Sequence, residues 1–513
     1  MSLLNSFPFT MAPSLTEVAG GIVLAGALLA VHFHLQNRRR NPAGLPYPPG
    51  PKGYPIIGNL LDIPKIYIYK RFREMSKELG SDIIHLQVFG FHLVVLNTKE
   101  VADDLMDKRS SIYSDRPRMP MMCELMGFDW SLGFTPYNEW WKNSRKLFHK
   151  HFQPSAVPQF RPKKTKAVHD FLKRLADTPD QFHNHMQLLA GSVILDIAYG
   201  LDIRSHDDIY LQRAEECLRI IDKAGNPGSF LVDIIPALKY VPDWFPGADF
   251  KRKAKEWKAI ADRFGTVPFE FVKSSMADGT AAPSFSSIAL RDINEKDNRA
   301  YQEELIKGLG ATMYTAGADT TVSVILTFFL GMLMNPEAQR LAQEEIDRVI
   351  GPDRLPTYED EAKLPYLGAL SKEVFRWQQV APFAIPHRLM ADDVYNGYFI
   401  PKDSIVLGNA WAILHDEKLF PDPFKFDPGR FLDPNADPRI VSAVDYAFGF
   451  GRRVCPGRWM AHSFTWIIIA NTLAAFSIKR VVDANGNEVP PAGTMSGGIM
   501  GCVFVLDICL HSC

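Results

Sequence analysis

The stretch FGFGRRVCPG, residues 448–457, places Cys455 among Gly449, Gly451 and Gly457, with Arg452 and Arg453 before it and Pro456 after it. Glycines permit positive φ and close backbone approach, while proline removes one N–H. A cysteine in such a turn has neighbouring amides free to point at its sulfur and arginine charge nearby, the setting of a thiolate. The following RWMAHSFTWIIIANTLAAF, residues 458–476, reads as a helix, so the sulfur also sits near a helix N-terminus. A nucleophile would need a base, but His462 lies two helical turns on and no cysteine-protease signature surrounds Cys455. Zinc would need three or four closely spaced ligands, and they are absent. A haem iron needs only one protein thiolate, and single-ligand chemistry is what the stretch offers.

Working outward, LGATMYTAGADTTVSVILTFF, residues 309–329, puts Gly317 in mid-helix with Thr312, Thr315, Thr320 and Thr321 close by. A helix-interior glycine costs about 1 kcal/mol relative to alanine, so something local must compensate. Thr320 can donate to the carbonyl of Ala316 one turn back, which bends a helix and can open a groove. Asp319 adds an ionisable group to an otherwise apolar stretch. A core helix with a tolerated polar patch reads equally well. SKEVFRW, residues 371–377, sets Glu373 and Arg376 at i, i+3, a spacing common on surface helices and worth tenths of a kcal/mol there. Proline-punctuated extended segments then lead to Arg430, whose planar guanidinium suits a shared carboxylate in a buried Arg/Glu/Arg cluster.

Residues 18–37, VAGGIVLAGALLAVHFHLQN, contain no Asp, Glu, Lys or Arg and are about as long as the ~20 residues that cross a bilayer. Arg38, Arg39 and Arg40 follow at once, whereas residues 1–16 carry no Lys or Arg; the positive-inside rule leaves the remainder cytosolic, and a cleaved signal peptide would want its charge before the apolar run. The expected organisation is a membrane anchor over 1–37, a basic and proline-rich linker over 38–59, and a catalytic domain over 60–513.

Helical periodicity dominates that domain, with candidates at 137–152, 167–175, 211–223, 251–274, 303–334, 336–350 and 367–378. Strand-like runs fall at 82–97, 404–411 and in the last twenty residues. This predicts a mainly α fold with small β-sheets. The turn-rich segment 225–250 is apolar enough either to pack inward or to meet a membrane surface. With 46% hydrophobic and 22% charged residues and a net charge of −1, the chain buries a large core and has no field for nucleic acid. Six scattered cysteines fit a reducing, cytosol-facing compartment, and Cys509, His511 and Cys513 read as a strand end and tail rather than a metal site.

Together these features resemble the cytochrome P-450 family over nearly the whole chain. Its haem signature, Phe-x-x-Gly-x-Arg-x-Cys-x-Gly, is met at Phe448, Gly451, Arg453, Cys455 and Gly457; Glu373 and Arg376 match its Glu-x-x-Arg pair, with Arg430 of FDPGRF as third member. AGADTT resembles the oxygen-activation segment of the central helix, and WKNSR the Trp-x-x-x-Arg that supplies Trp141 and Arg145. The anchor with PPGPKGYPIIGN resembles the microsomal type, and AIPHRLMADDVYNGYFIP and AFGFGRRVCPGRWMA are similar to fungal secondary-metabolism members, such as the O-methylsterigmatocystin oxidoreductase-like and basidiomycete groups. FDPGRF departs in having Gly429 where glutamate is usual, and the final strands, which in the family contribute one wall of the substrate pocket, lack the usual His-Pro-x-Pro-Phe wording.

The resemblance implies the P-450 fold and haem b, with Cys455 as axial ligand of the iron. It implies propionate partners in Trp141, Arg145, His387 and Arg453, proton relay by Asp319 and Thr320, and structural support from Glu373, Arg376 and Arg430. It further implies an endoplasmic-reticulum membrane protein with a cytosolic catalytic domain. An NADPH-dependent reductase, with cytochrome b5 as an additional donor, would deliver electrons for oxygen insertion into an apolar small molecule, a terpenoid, steroid or aromatic compound. An oxygen-independent haem-thiolate isomerase or dehydratase, and a non-catalytic haem sensor, stay open as alternatives. Expected pocket residues are Met313 and Ala316, residues 383–385, and Met119, Met121, Met122 and Met126, whose flexible thioethers suit an adaptable wall.

Overall fold

The computed structural model describes residues 39–225, 228–483, 487–491 and 508–512. The expected anchor at 1–37 lies outside the described residues, as does most of the divergent C-terminal stretch. The longer helices are α1 (Ile68–Leu79), α2 (Glu139–Phe152), α3 (Arg161–Asp177), α4 (Phe182–Tyr199), α5 (Ile209–Gly225), α6 (Asp249–Ala277), α7 (Phe285–Arg291), α8 (Arg299–Met334), α9 (Pro336–Val349), α10 (Pro365–Trp377) and α11 (Arg458–Ala475). The strands are β1 (Ile83–Val88), β2 (Phe91–Leu96), β3 (His387–Arg388), β4 (Asp393–Tyr395), β5 (Tyr398–Ile400), β6 (Ile405–Gly408), β7 (Phe476–Arg480) and β8 (Ile508–Ser512). The mainly α fold with small sheets is therefore present.

Two compact units divide these elements. In the smaller, residues 39–48 accompany the β4–β5 hairpin: Phe399 N–H donates to Pro46 O at 2.8 Å, and the Arg40 guanidinium meets Asp392 and Lys402 O. In the larger, one four-stranded sheet has the order β1-β2-β6-β3, with β2 and β6 parallel and the other pairs antiparallel. The rest of the proline-rich segment is stitched to β1, through His85 N–H to Pro49 O (2.9 Å) and Asn59 N–H to Gln87 O (2.6 Å).

α8 is buried at the centre of the larger unit and crosses α4 at close range. A Cβ at Gly310 would lie 2.9 Å from the Tyr199 ring, and one at Gly317 would lie 2.4 Å from Ile194 Cδ1. The mid-helix glycine is thus compensated by interhelical packing, and α8 runs through it as one continuous helix. The apolar segment 225–250 divides. Phe230 packs edge-on against Trp257 and Val232 is buried, while Leu231, Tyr240 and Trp244 (80% exposed) face outward.

Candidate active site

The cysteine turn is held at both ends. Cys455 N–H donates to Phe448 O at 2.8 Å, and the Phe448 ring packs against Phe375 and His462, centroids 5.1 and 4.8 Å away. Gly449 (φ 91°) and Gly451 (φ 50°) occupy the left-handed region, and a Cβ on Gly451 would lie 1.9 Å from Met106 O. Gly457, at φ −87°, is the N-cap of α11 and gives its amide to the Cys455 sulfur. Burial pushes the Cys455 thiol up, opposed by that amide and by Arg145 and Arg458. The turn alone therefore does not hold a thiolate, whereas a coordinated metal ion deprotonates a thiol outright.

A group of cations lies next to the turn. The Arg453 guanidinium stands 4.2 Å above the Trp141 ring and donates to Ser114 O (2.7 Å) and Thr135 O (2.9 Å). Burial pulls Arg453 down to about 9, and pulls Arg145, on the next turn of α2 after Trp141, down to about 10. Arg145 makes no hydrogen bond or ion pair among the described residues, and Cys455 is its main favourable electrostatic neighbour. His387 Nδ1 faces Tyr113 O at 2.7 Å, which assigns the proton to Nδ1 and leaves Nε2 bare in the neutral ring. Burial and the nearby Arg116 hold that ring neutral.

On α8, Thr320 Oγ1 donates to Ala316 O at 2.7 Å, as its sequence position suggests. Ala316 and Asp319 are exposed in the middle of a helix whose neighbouring turns are buried, so this face borders open space inside the fold. Burial, then the carboxylates of Asp222 and Glu215, push the Asp319 carboxyl up. Met313 is half-buried and Ile385 open, but Met121, Met122 and Met126 are fully enclosed in the core. These three methionines pack against the core and do not form a pocket wall.

The Glu373–Arg376 pair is 0% exposed on both sides. Arg376 forks onto Glu373 at 2.6 and 2.8 Å and spends its other donors on the carbonyls of Leu414, Pro423 and Lys425. Arg430 Nε reaches Glu373 Oε1 at 3.3 Å, and Asp427 N–H reaches the same oxygen at 2.8 Å. The i, i+3 pair is a buried, fully bonded junction between α10 and the segment that precedes the cysteine turn.

The family described as Cytochrome P450 matches residues 48–495. The chain belongs to the cytochrome P450 family. It is 43% identical over 479 residues (93% of this chain, 91% of the relative) to Cytochrome P450 monooxygenase 98 of Postia placenta. It is 41% identical over 492 residues (95% and 92%) to Cytochrome P450 monooxygenase COX2 of Coprinopsis cinerea. It is 40% identical over 482 residues (93% and 94%) to Tryptamine 4-monooxygenase of Psilocybe cyanescens. As a P450, the chain is an oxidoreductase of the class that incorporates one oxygen atom, and haem is its cofactor.

The residues present fit a haem. Beside the P450 cysteine turn, Arg116, Arg145 and Arg453 influence one another through a largely buried region. Asp115, next in chain to Arg116, favours the charged forms of Arg116 and Arg453 but is also bonded to Arg388 and to Tyr137 N–H (2.7 Å). Buried cations require partners, and one shared carboxylate beside three arginines leaves the cluster short of negative charge. Sequence reasoning missed Arg116. Its guanidinium donates to Gly133 O, Ile385 O and Pro386 O at 2.8–2.9 Å, yet in SDRPRMP nothing separates it from Arg118, which pairs with Glu124 at the surface.

Proposed function

We propose that this P450 oxidises an apolar small molecule in fungal secondary metabolism, of the terpenoid, steroid or aromatic class, as a monooxygenase fed by an NADPH-dependent reductase, with cytochrome b5 as an additional donor. The observation that carries the reading is the buried, under-neutralised arginine group beside Cys455. When bound, the haem supplies dioxygen activation, its cysteine thiolate favouring O–O cleavage, with one oxygen atom going to substrate and the other to water. Cys455 holds the iron. Arg145 and Arg453, with Arg116, hold the two propionates, and Trp141 supports Arg453 from below. His387, its Nδ1 proton on Tyr113 O, borders the same arginine group. Asp319 supplies protons on the distal side, and Thr320, whose hydroxyl donates to Ala316 O, offers its oxygen lone pairs as a hydrogen-bond acceptor that orients the incoming donor. Glu373, Arg376 and Arg430 keep the segment before the cysteine turn in place.

We place the protein on the cytosolic face of the endoplasmic-reticulum membrane, tethered by 1–37. Exposed Trp244, Tyr240 and Leu231, and Ile56 at 89% exposure, support contact with a lipid surface. Tryptamine 4-monooxygenase among the relatives supports an aromatic substrate as one member of the class. The deciding experiment expresses the chain with a reductase in microsomes and follows NADPH consumption and products over a panel of terpenoids, steroids and aromatic compounds. Substrate-dependent NADPH consumption with an oxygenated product is the expected result. Product formed without NADPH or oxygen would indicate an isomerase or dehydratase, and haem binding without turnover of any compound a sensor.

A further inference from the structure

The carbonyl of Cys455 is bonded twice by one residue. Arg458, in the first turn of α11, donates to Cys455 O through its backbone N–H at 3.4 Å and through Nη1 at 3.3 Å. Its guanidinium also lies over the Trp459 ring, 3.7 Å from the centroid, and that ring packs against His149 of α2 with centroids 5.9 Å apart. A hydrogen bond and an aromatic face therefore hold the cation beside the cysteine turn. Arg458 is half-buried and forms no ion pair among the described residues. It lines a cleft of about 400 Å³ with Asp103, Asp107 and Asp445, yet none of these carboxylates neutralises it. Asp103 is spent on Lys99 and the Tyr446 hydroxyl, and Asp445 lies 3.9 Å from His462. Arg458 is one of the groups that oppose the upward push of burial on the Cys455 thiol, with the Gly457 amide and Arg145. Arg145 is assigned to a propionate, which leaves Arg458 as the cation at the sulfur with no other charge to serve.

One-electron reduction of an iron held by Cys455 makes the charge beside Arg458 more negative by one, and a fixed cation favours the more negative state. We propose that Arg458 is a positioning residue that raises the reduction potential of the haem iron, its guanidinium held against the Cys455 carbonyl so that its charge stays beside the ligand. This rests on the reading of Cys455 as the iron's ligand. The electron comes from the reductase, no bond forms or breaks, and Arg458 keeps its protons throughout. The hydrogen bond and the charge are separable contributions, because glutamine keeps a donor for Cys455 O without the charge and lysine keeps the charge without the planar fork.

The test is a spectroelectrochemical titration of the purified, substrate-free holoprotein, following its ferric and ferrous absorption bands; no turnover is measured. Haem content and the reduced, CO-bound spectrum verify each variant. Arg458→Gln is expected to shift the equilibrium about tenfold toward ferric iron, the scale of one unit charge acting across a partly solvated site, which for one electron is a potential about 59 mV lower. Arg458→Lys stays within about twofold of the unsubstituted equilibrium because the charge is kept. Arg439→Gln, which removes an exposed cation paired with Asp437, leaves the potential unchanged. Asp107→Asn takes a negative charge out of the same cleft and raises the potential, so the charge account is tested even where Arg458→Gln yields no haem-loaded protein. An unchanged potential in Arg458→Gln, an equal fall in Arg458→Gln and Arg458→Lys, or, where Arg458→Gln holds no haem, no rise in Asp107→Asn overturns the role of Arg458 while the reading of Cys455 stands. An unsubstituted holoprotein whose reduced, CO-bound spectrum lacks the thiolate band sinks that reading and this proposal with it.

Discussion

Gly451 shows how little freedom the cysteine turn has. Its φ of 50° already disfavours any side chain, and a Cβ would sit 1.9 Å from the fixed carbonyl of Met106. Gly451→Ala should cost more than about 3 kcal/mol, read as a lowered urea midpoint together with loss of haem from the purified protein. Thr320 has the opposite character. Its hydroxyl contributes one local hydrogen bond to Ala316 O, so Thr320→Ala should leave the fold and haem content unchanged. It should instead divert NADPH use from product to peroxide by an amount of order tenfold; unchanged coupling would remove Thr320 from the proton path. The turn's cysteine and glycines could be read from spacing, because few residue types serve an αL position or ligate iron. Arg116 could not, since burial alone distinguishes it from Arg118 and depends on residues 385 and 386, far along the chain.

Elements were legible where one face is apolar and one polar. α2, α5, α6, α9 and α10 lie within a few residues of where periodicity puts them, and α8, buried along most of its length, is legible by its length and its charged first turns. α3 begins earlier, at Arg161, because its first turn is charged. α4 carries no such signal: it is buried nearly all round between α3 and α8, and a uniformly buried helix has no polar stripe to mark its period. At this scale α3 also places Lys164 at 0% exposure, its Nζ on Ser463 Oγ of α11 (2.7 Å) and 4.9 Å over the Tyr358 ring, without an ion-pair partner among the described residues. Burial pulls this lysine down to about 7. The folded chain then binds fewer protons at Lys164 than the unfolded chain between pH 7 and the ordinary lysine value. Stability from this site is accordingly lowest below pH 7 and rises with pH through that window. Lys164→Met should raise the melting temperature most below pH 7, with the gain shrinking toward pH 10; a gain independent of pH would show that the charge is not what costs stability. Glu373 is the converse case, a buried charge with every partner in place. Glu373→Gln strands Arg376 and should cost about 3–5 kcal/mol, seen as a failure to recover haem-loaded protein from cells while Lys372→Gln, next in chain, is recovered normally.

For the whole molecule, α8 packs against α2, α4, α5 and α11, and the fold brings together residues from distant parts of the chain. Trp141 and Arg145 come from α2, Asp319 and Thr320 from α8, His387 from β3, and Arg453 and Cys455 from the turn before α11. Motif order announced the fold, since each motif occupies its place along the chain. The charge balance of the site was hidden, because it depends on which of many arginines end up buried without a carboxylate. The central claim is that Cys455 is the thiolate ligand of the haem iron. It is tested most directly by the absorption spectrum of the reduced, CO-bound holoprotein, unsubstituted and as Cys455→Ala. The unsubstituted protein should show the red-shifted band of a thiolate-ligated ferrous carbonyl, and Cys455→Ala should lack it. Retention of that band in Cys455→Ala would contradict the account.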